Sequence, residues 1–550
     1  MTVSERWGGR TGEIPVQTLD WQQNVVKRVA VGDLADRAAA RFPNNIAVAD
    51  GDFQLTFSEF NQYANRIAHA LLRRTVEPNT RVALLSRNSW QFLVSYFACA
   101  KAGMIAVPLN ARLDYPLLRY CLEDSGAKIL MMETTYAGAV PDLPTSLDVV
   151  WYRESALAPC PSTGTTFDQL LQEGDPGEVT VIVRDRDPVQ LLYTSGTTGK
   201  PKGVLTSHIA VVMGALAAYA SMVETVEGAQ FHSSLIVLPL FHVAALNTLA
   251  LPNFFRGSTI VLMKAFQSSE ALRLIEQYNV TAMTLLPIMY QALLDDPSKA
   301  VRDVSSLRVA EYGMAPMPPQ RIAQLQSFFG NASVIMGSGQ TEFLPPTTRQ
   351  QSHHQYTKAA SWGPPGVNTQ AAIMDDKGNF LPRGQIGELV YRGPQAMELY
   401  WKNEEATEGA FRDGWFHSGD IAWIDEEGVV WFVDRQKDLI KSGGENIASI
   451  EVERALLMHP AVHDVAVVGL PHQIWGEAVT AMVVLSSPNP NIEKELLAFC
   501  HSKLAGYKVP KAIIAIKELP RSASNKIQKH ALRESYRNWF NSGGNEKQEG

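Results

Sequence analysis

Apolar residues along the chain follow two alternating rhythms. Short apolar runs such as "RVALLS" (81–86), "IAVPLN" (105–110), "STIVLM" (258–263) and "VTAMTLLP" (280–287) have the length and β-branched content of buried strands. Between them lie longer segments in which apolar positions recur every three or four residues, among them "SWQFLVSYFACAKAG" (89–103) and "SSEALRLIEQYN" (268–279). Strand alternating with helix predicts βαβ units around largely parallel sheets, an α/β fold. Near residue 384 the texture changes to short β-like runs broken by Gly and Asp, "GQIGELVYRGP" and "GVVWFVDRQKDLIKSGGENIA", which predict a small antiparallel, barrel-like subdomain. After it, "SIEVERALLMHP", "VHDVAVVGLP", "AVTAMVVLS" and "EKELLAFCHSKL" predict a small α+β C-terminal domain. The expected division is a large domain over 1–434, a hinge at 435–437 and a small mobile domain over 438–550.

The longest apolar stretch, Leu235 to Pro252, is interrupted by Pro239, His242 and Asn247. It reads as a buried core segment and not as a membrane span. The N-terminal "MTVSERWGGRTGEIP" lacks the apolar centre of a signal peptide, so a cytoplasmic protein is expected. At 550 residues the chain exceeds what one core supports, and with 45% apolar and 19% charged residues it has an ordinary globular composition. A formal net charge of -7 argues against a nucleic-acid partner but leaves room for a local phosphate site. Cys99, Cys121, Cys160 and Cys500 are too dispersed for a disulfide framework or a zinc knuckle.

The candidate chemistry begins at "YTSGTTGKPKGV", Tyr193 to Val204. Glycines let backbone N–H groups approach an anion closely, hydroxyls add donors, and Lys200 and Lys202 add charge, so the stretch reads as a phosphate cradle. Leu191-Leu192-Tyr193 is the expected feeding strand, and Ser207 the expected N-cap of the following apolar helix. A plain flexible loop is the competing reading. The GxxxxGK[ST] nucleotidase loop is excluded, because Gly196 and Gly199 are too close together and Pro201 follows Lys200.

This stretch resembles the signature of the adenylate-forming superfamily: acyl-CoA synthetases, peptide-synthetase adenylation domains and firefly-type luciferases. Companion stretches occur in that family's order, including "LPLFHVAAL", "YGMAPMP", "GSGQTE", "GWFHSGD", "DRQKDLIKSGGENI", "LPHQIWGEAV", "YKVPK" and "LPRSASNK". The texture is most like bacterial fatty-acid–CoA ligases. The resemblance implies a two-step reaction. A carboxylate attacks the α-phosphate of ATP to give an acyl adenylate, and the thiol of coenzyme A then displaces AMP.

By the same resemblance, Thr194, Ser195, Gly196, Thr197, Thr198, Gly199 and Lys200 clasp the β- and γ-phosphates. Ser338, Gly339 and Gln340 lead to Thr341 at the α-phosphate and Glu342 on Mg²⁺, a hard cation suited to carboxylate oxygen. Gly313, Met314, Ala315 and Pro316 lie along adenine and acyl chain, Asp420 takes the ribose hydroxyls, and Arg435 reaches ribose or phosphate. His242 lines the carboxylate pocket, although a lone His beside Phe241 equally suits a satisfied core residue. Lys526 is the expected catalytic lysine, Lys437 the hinge, and Gly443 and Gly444 the lining of the pantetheine channel. Three departures stand out: Ser338 where an aromatic residue usually stacks on adenine, Asn525 before the lysine, and Ser449 where Pro often opens the next helix, Ser being an acceptable N-cap there.

A fatty acid is the expected substrate, with aryl acids such as benzoates or cinnamates as the alternative. An adenylation enzyme acting without coenzyme A ranks below both, since "LPLFHVAAL" lacks the Asp that would meet a substrate amine. A silent binding protein is disfavoured by the presence of Lys526, Glu342 and Asp420 together. Small acid, ATP and coenzyme A are the expected partners, with neither nucleic acid nor an integral membrane segment. The oligomeric state stays open, a homodimer included.

Overall fold

The computed structural model describes residues 19–75, 77–143, 146–153, 161, 164–194, 200–225, 232–313, 317–489, 491–521 and 527–541. Two eight-stranded sheets form the larger part. The first runs in the order Thr348–Arg349, Ser333–Ser338, Val309–Tyr312, Ala282–Leu285, Ser233–Ile236, Thr259–Leu262, Ile46–Asp50, Phe53–Thr56, and is parallel except at its two edge pairs. The second runs Leu399–Tyr400, Lys202–Ser207, Pro188–Thr194, Ile105–Pro108, Arg81–Leu85, Ile129–Glu133, Asp148–Tyr152, Thr165–Thr166; it is antiparallel only in its first two pairs. Every strand run quoted from the sequence over this region is a strand in the structure.

The helices follow local rules. Phe57–Arg74 opens with a capping box, in which Glu59 donates its N–H to the Thr56 hydroxyl and its carboxylate accepts from the Thr56 N–H. Trp90–Lys101 is capped by Ser89, and its residues from Phe92 onward are all buried, as an almost uniformly apolar helix requires. No described helix is long and apolar enough to cross a membrane. Within Leu235–Pro252 the chain leaves strand Ser233–Ile236 and forms a π-helix, Ala244–Ala250, with Leu251 N–H donating to the Leu246 carbonyl five residues back.

Two expected caps are corrected. Ser207 does precede the helix His208–Thr225, but its hydroxyl donates to Glu398 (2.5 Å); the first helical N–H groups, of His208 and Ile209, go to the carbonyls of Asp187 and Asp185. Ser449 is the first residue of Ser449–Leu457 and not its N-cap. Its N–H and hydroxyl both donate to Asp434 Oδ2 (2.5 and 2.6 Å), a carboxylate brought from another strand.

The chain divides into two compact units. One comprises the chain to residue 315, Arg321–Gln370 and Arg392–Phe411; the other comprises 316–320, Ala371–Tyr391 and the chain from Arg412. The smaller unit therefore takes in the antiparallel sheet (Gln370–Met374, Gly387–Arg392, Trp415–Ile424, Phe411–Arg412, with Val430–Arg435 on Trp415–Ile424), which the sequence assigns to the large domain. It also holds the C-terminal α+β sheet Glu445–Ile447, Ile440–Ser442, Gly476–Leu485, Val462–His472, with Ala512–Ala515 parallel to Gly476–Leu485.

Candidate active site

In the larger unit the glycine-rich stretch joins two antiparallel strands, Pro188–Thr194 and Lys202–Ser207, as a hairpin with Thr194 opposite Lys202. Ser195, Gly196, Thr197, Thr198 and Gly199 lie outside the described residues. Thr194 donates its hydroxyl to the Lys202 carbonyl (3.4 Å). The two flanking ammonium groups rest on aromatic faces: Lys200 Nζ is 5.3 Å from the Tyr120 ring centroid and Lys202 Nζ is 5.2 Å from that of Tyr400. Tyr193 donates to Asp124 (2.7 Å), and burial together with that carboxylate pushes its phenol far up, so it stays a donor.

Strand Ser333–Ser338 delivers the "GSGQTE" turn. Ser338 accepts at its carbonyl from the Thr347 N–H and hydroxyl, and a Cβ at Gly339 would lie 2.4 Å from Pro345 Cβ, so the turn closes tightly on Pro345. Gly313, at the end of strand Val309–Tyr312, is as close to the next strand: a Cβ there would lie 2.9 Å from the Gly337 carbonyl oxygen. Met314, Ala315 and Pro316 lie outside the described residues. Thr341 is buried, and the amide nitrogen of Gln340 is buried with no hydrogen-bond partner among the described residues. Glu342 accepts from the Tyr400 hydroxyl (2.9 Å), and its carbonyl accepts from the Met397 N–H. Tyr400 in turn pairs with Val204 across the strand that closes the glycine-rich hairpin. Burial and the Glu342 charge push the Tyr400 phenol upward, so it too remains protonated.

His242 is half-buried in the turn that follows strand Ser233–Ile236. Its N–H donates to the Pro239 carbonyl, and its Nδ1 accepts from the Ala244 N–H (3.3 Å). The turn is pinned by Asn88, which is buried. The Asn88 amide donates to the carbonyls of Leu238 and Met263 (3.0 Å each) and, more weakly, Ile236 (3.4 Å), while its oxygen accepts from the Leu240 N–H (2.8 Å).

In the smaller unit Asp420 and Arg435 face each other across adjacent antiparallel strands and form an ion pair (Nε to Oδ1, 2.7 Å), with Asp420 buried and Arg435 partly exposed. Gly443 and Gly444 form a two-residue turn between Ile440–Ser442 and Glu445–Ile447, with φ of +61° and +89°. Positive φ at both positions is the hairpin geometry that favours glycine. A Cβ at Gly443 would lie 2.9 Å from the Trp475 ring. The Lys437 carbonyl accepts from Arg533, and burial lowers its ammonium pKa. Lys526, like Asn525, lies outside the described residues.

Sequence reasoning missed Tyr400, Asn88 and Asp434. Tyr400 and Asn88 belong to no quoted motif, and Tyr400 follows Glu342 by 58 residues, so that only the sheet brings them together. Asp434 opens the "DRQKD" stretch, but nothing local marks it as the acceptor for Ser449.

Comparison with known proteins agrees with this architecture. Residues 35–401 match the AMP-binding enzyme model and residues 451–526 the AMP-binding enzyme C-terminal domain. A feruloyl-CoA synthase of Amycolatopsis sp is 36% identical over 93% of this chain and 100% of its own length. The long-chain-fatty-acid–CoA ligase FadD13 of Mycobacterium tuberculosis is 34% identical over 88% of this chain and 94% of its own. The crystal structure of the o-succinylbenzoate coenzyme A synthetase MenE of Bacillus subtilis, in complex with ATP and a magnesium ion, superposes with a TM-score of 0.80 at 29% identity, covering 91% of this chain and 99% of that one. With two thirds of its length under one family model and close relatives over nearly all of it, the chain belongs to the AMP-binding enzymes and is an AMP-forming ligase of the acyl-CoA synthetase kind.

Proposed function

We propose that this protein activates a carboxylic acid with ATP as its acyl adenylate and then transfers the acyl group to coenzyme A. One observation carries the nucleotide half of the reading: Glu342 is tied through Tyr400 to the strand that closes the glycine-rich hairpin. The Glu342 carboxylate is thereby held beside strand Lys202–Ser207, which begins just after the proposed phosphate loop, an arrangement that suits a magnesium–triphosphate. Among the described residues no cluster of three or more His, Cys, Asp or Glu could hold an ion alone. Glu342 and the Thr341 hydroxyl are oxygen donors of the kind Mg²⁺ takes together with phosphate oxygens, so the donor set fits that ion. Bound there, magnesium would neutralise phosphate charge.

The remaining roles are those that the family resemblance implies. Thr194 to Lys200 hold the β- and γ-phosphates, and Thr341 contacts the α-phosphate. His242, its Nδ1 committed to the backbone, lines the acid. Asp420 receives the ribose hydroxyls with Arg435 beside it. Lys526 bridges carboxylate and α-phosphate oxygens as charge develops between them. The Gly443–Gly444 turn, short of side chains, admits the pantetheine arm once the small domain has turned about Lys437.

For the acid we propose a compact aryl or short-chain substrate. In this reading the acid extends from His242 toward the space between helix His208–Thr225 and the first sheet, where a cavity of about 10 Å³ has Glu311, Thr284 and Ser234 in its wall. Glu311 is paired there with Arg349 (2.9 Å), both buried, and a long alkyl chain would have to desolvate that pair. The likeness to a feruloyl-CoA synthase supports the same reading. A fatty acid remains the alternative, supported by Val243, Ala244 and Ala245 beside His242 and by the likeness to FadD13. AMP release with coenzyme A over hydroxycinnamates, benzoates and fatty acids of graded length separates them. Fastest turnover on long-chain acids would refute the compact-acid reading, and turnover confined to amino acids would refute the acid–CoA ligase itself.

A further inference from the structure

The helix Trp90–Lys101 is buried in a large apolar cluster that also includes Val189, Leu192, Leu246 and Leu249. Inside that cluster lies an uncharged polar knot. Gln190 and Asn247 exchange two amide hydrogen bonds, each 3.1 Å, and Tyr96 donates its hydroxyl to Gln190 Oε1 (2.7 Å). All three side chains are 0% exposed.

Apolar residues of the same shape would fill this space at least as stably, because a buried polar group must first be stripped of water. What a satisfied polar pair adds is a defined relative position, since a shift of an ångström breaks it. Here the two ends are informative. Gln190 lies on strand Pro188–Thr194, four residues before Thr194 and on the same face, at the mouth of the glycine-rich hairpin. Asn247 lies in the π-helix Ala244–Ala250, five residues after His242, and a π-turn is an uncommon geometry concentrated at functional sites. Asn88, just before the same buried helix, fixes the other end of the His242 turn.

We propose that the Gln190–Asn247 amide pair, oriented by Tyr96, is a positioning device that sets the acid-binding turn at His242 against the triphosphate-binding hairpin. This rests on the ligase reading above. The pair touches neither substrate; it acts through the two elements it joins. A misplacement of about 1 Å between acid and α-phosphate costs on the order of a hundredfold in rate without weakening either ligand's own contacts.

The test uses acid-dependent exchange of pyrophosphate into ATP by the full-length protein. Gln190→Met combined with Asn247→Leu removes both amides at once and leaves only the Tyr96 hydroxyl without its acceptor, so the fold is expected to persist at a somewhat lower melting temperature, which thermal melting checks. The expected result is a ten- to hundredfold fall in exchange kcat, on the scale of that misplacement, with the KM for the acid little changed. The KM for ATP should stay within about twofold, since the hairpin itself is intact. The swapped pair, Gln190→Asn with Asn247→Gln, should recover part of the rate. Wild-type exchange by a folded apolar double variant overturns the proposal. If that variant does not fold, Tyr96→Phe decides: reduced exchange at unchanged ATP KM supports the device, and wild-type exchange overturns it. Wild-type protein that exchanges with no acid at all would instead sink the underlying ligase reading.

Discussion

Two buried polar networks, one in each unit of the chain, are of opposite character. In the larger unit the network is neutral: Gln190, Asn247 and Tyr96, with Asn88 nearby. In the smaller unit it is built of acidic and basic side chains. Asp434 accepts from Ser449, Lys529 donates to the Ser449 hydroxyl (2.6 Å) and pairs with Glu453 (2.7 Å), and Glu453 also accepts from the Val467 N–H. Burial pushes the Glu453 carboxyl up while Lys529 opposes it. The neutral knot lies between elements whose spacing has to stay constant. The charged one begins at Asp434, directly before the proposed pivot at Lys437. Fixed geometry is served by amides that no change of pH or salt can discharge, whereas a lobe expected to move is held by groups whose charge sets how firmly they grip.

The largest expected effect sharpens the division of labour between the units. Lys526→Ala should lower acyl-adenylate formation by about 10²–10³-fold, the scale of losing one electrostatic contact to a transition state. Conversion of pre-made acyl adenylate to thioester should continue near the normal rate, read by coupled AMP and thioester assays. Equal loss of both half-reactions would contradict separate roles. Next, Gly443→Val forces a branched side chain into positive φ and against Trp475. Thioester formation should fall about tenfold while adenylation stays within twofold.

A smaller effect tests the charged network. Asp434→Ala leaves the Ser449 N–H and hydroxyl without their acceptor and should cost about 1–3 kcal/mol in the smaller unit, seen as a lower denaturant midpoint at unchanged slope. An unchanged midpoint would mean that the network is not structural. The smallest effect probes a titratable side chain buried in the larger unit, outside the neutral knot. Burial lowers the His69 imidazole pKa below 6.5. Between that lowered value and 6.5 the unfolded chain binds more protons than the folded one, so stability is lost as pH falls through the window. His69→Gln should therefore narrow the gap between melting temperatures at pH 7.5 and 5.5; an equal or wider gap would remove His69 from the account.

Much of the fold was readable because it is written in local periodicity. The runs at 81–86, 105–110 and 258–263 are buried parallel strands, and such strands need only be apolar for their length. The caps failed for a reason equally physical. Ser207 stands where a cap residue should, but Glu398, 191 residues away, claims its hydroxyl; Ser449 falls one place inside its helix, and its hydroxyl goes to Asp434. The π-turn at Ala244–Ala250 has no apolar period of its own. Of the candidate site, the motifs marked positions such as Glu342 and Asp420, while their partners Tyr400 and Arg435 are joined to them through sheet register. Arg435 was found only because it lies in a motif itself.

The central claim is that the acid is activated as an AMP anhydride before the thiol takes part. Incubation of the purified protein with ATP, magnesium, labelled pyrophosphate and each acid in turn, without coenzyme A, tests it directly. Label should enter ATP only when a suitable acid is present, and later addition of coenzyme A should release AMP. Exchange that needs coenzyme A, or release of ADP in place of AMP, would contradict the account.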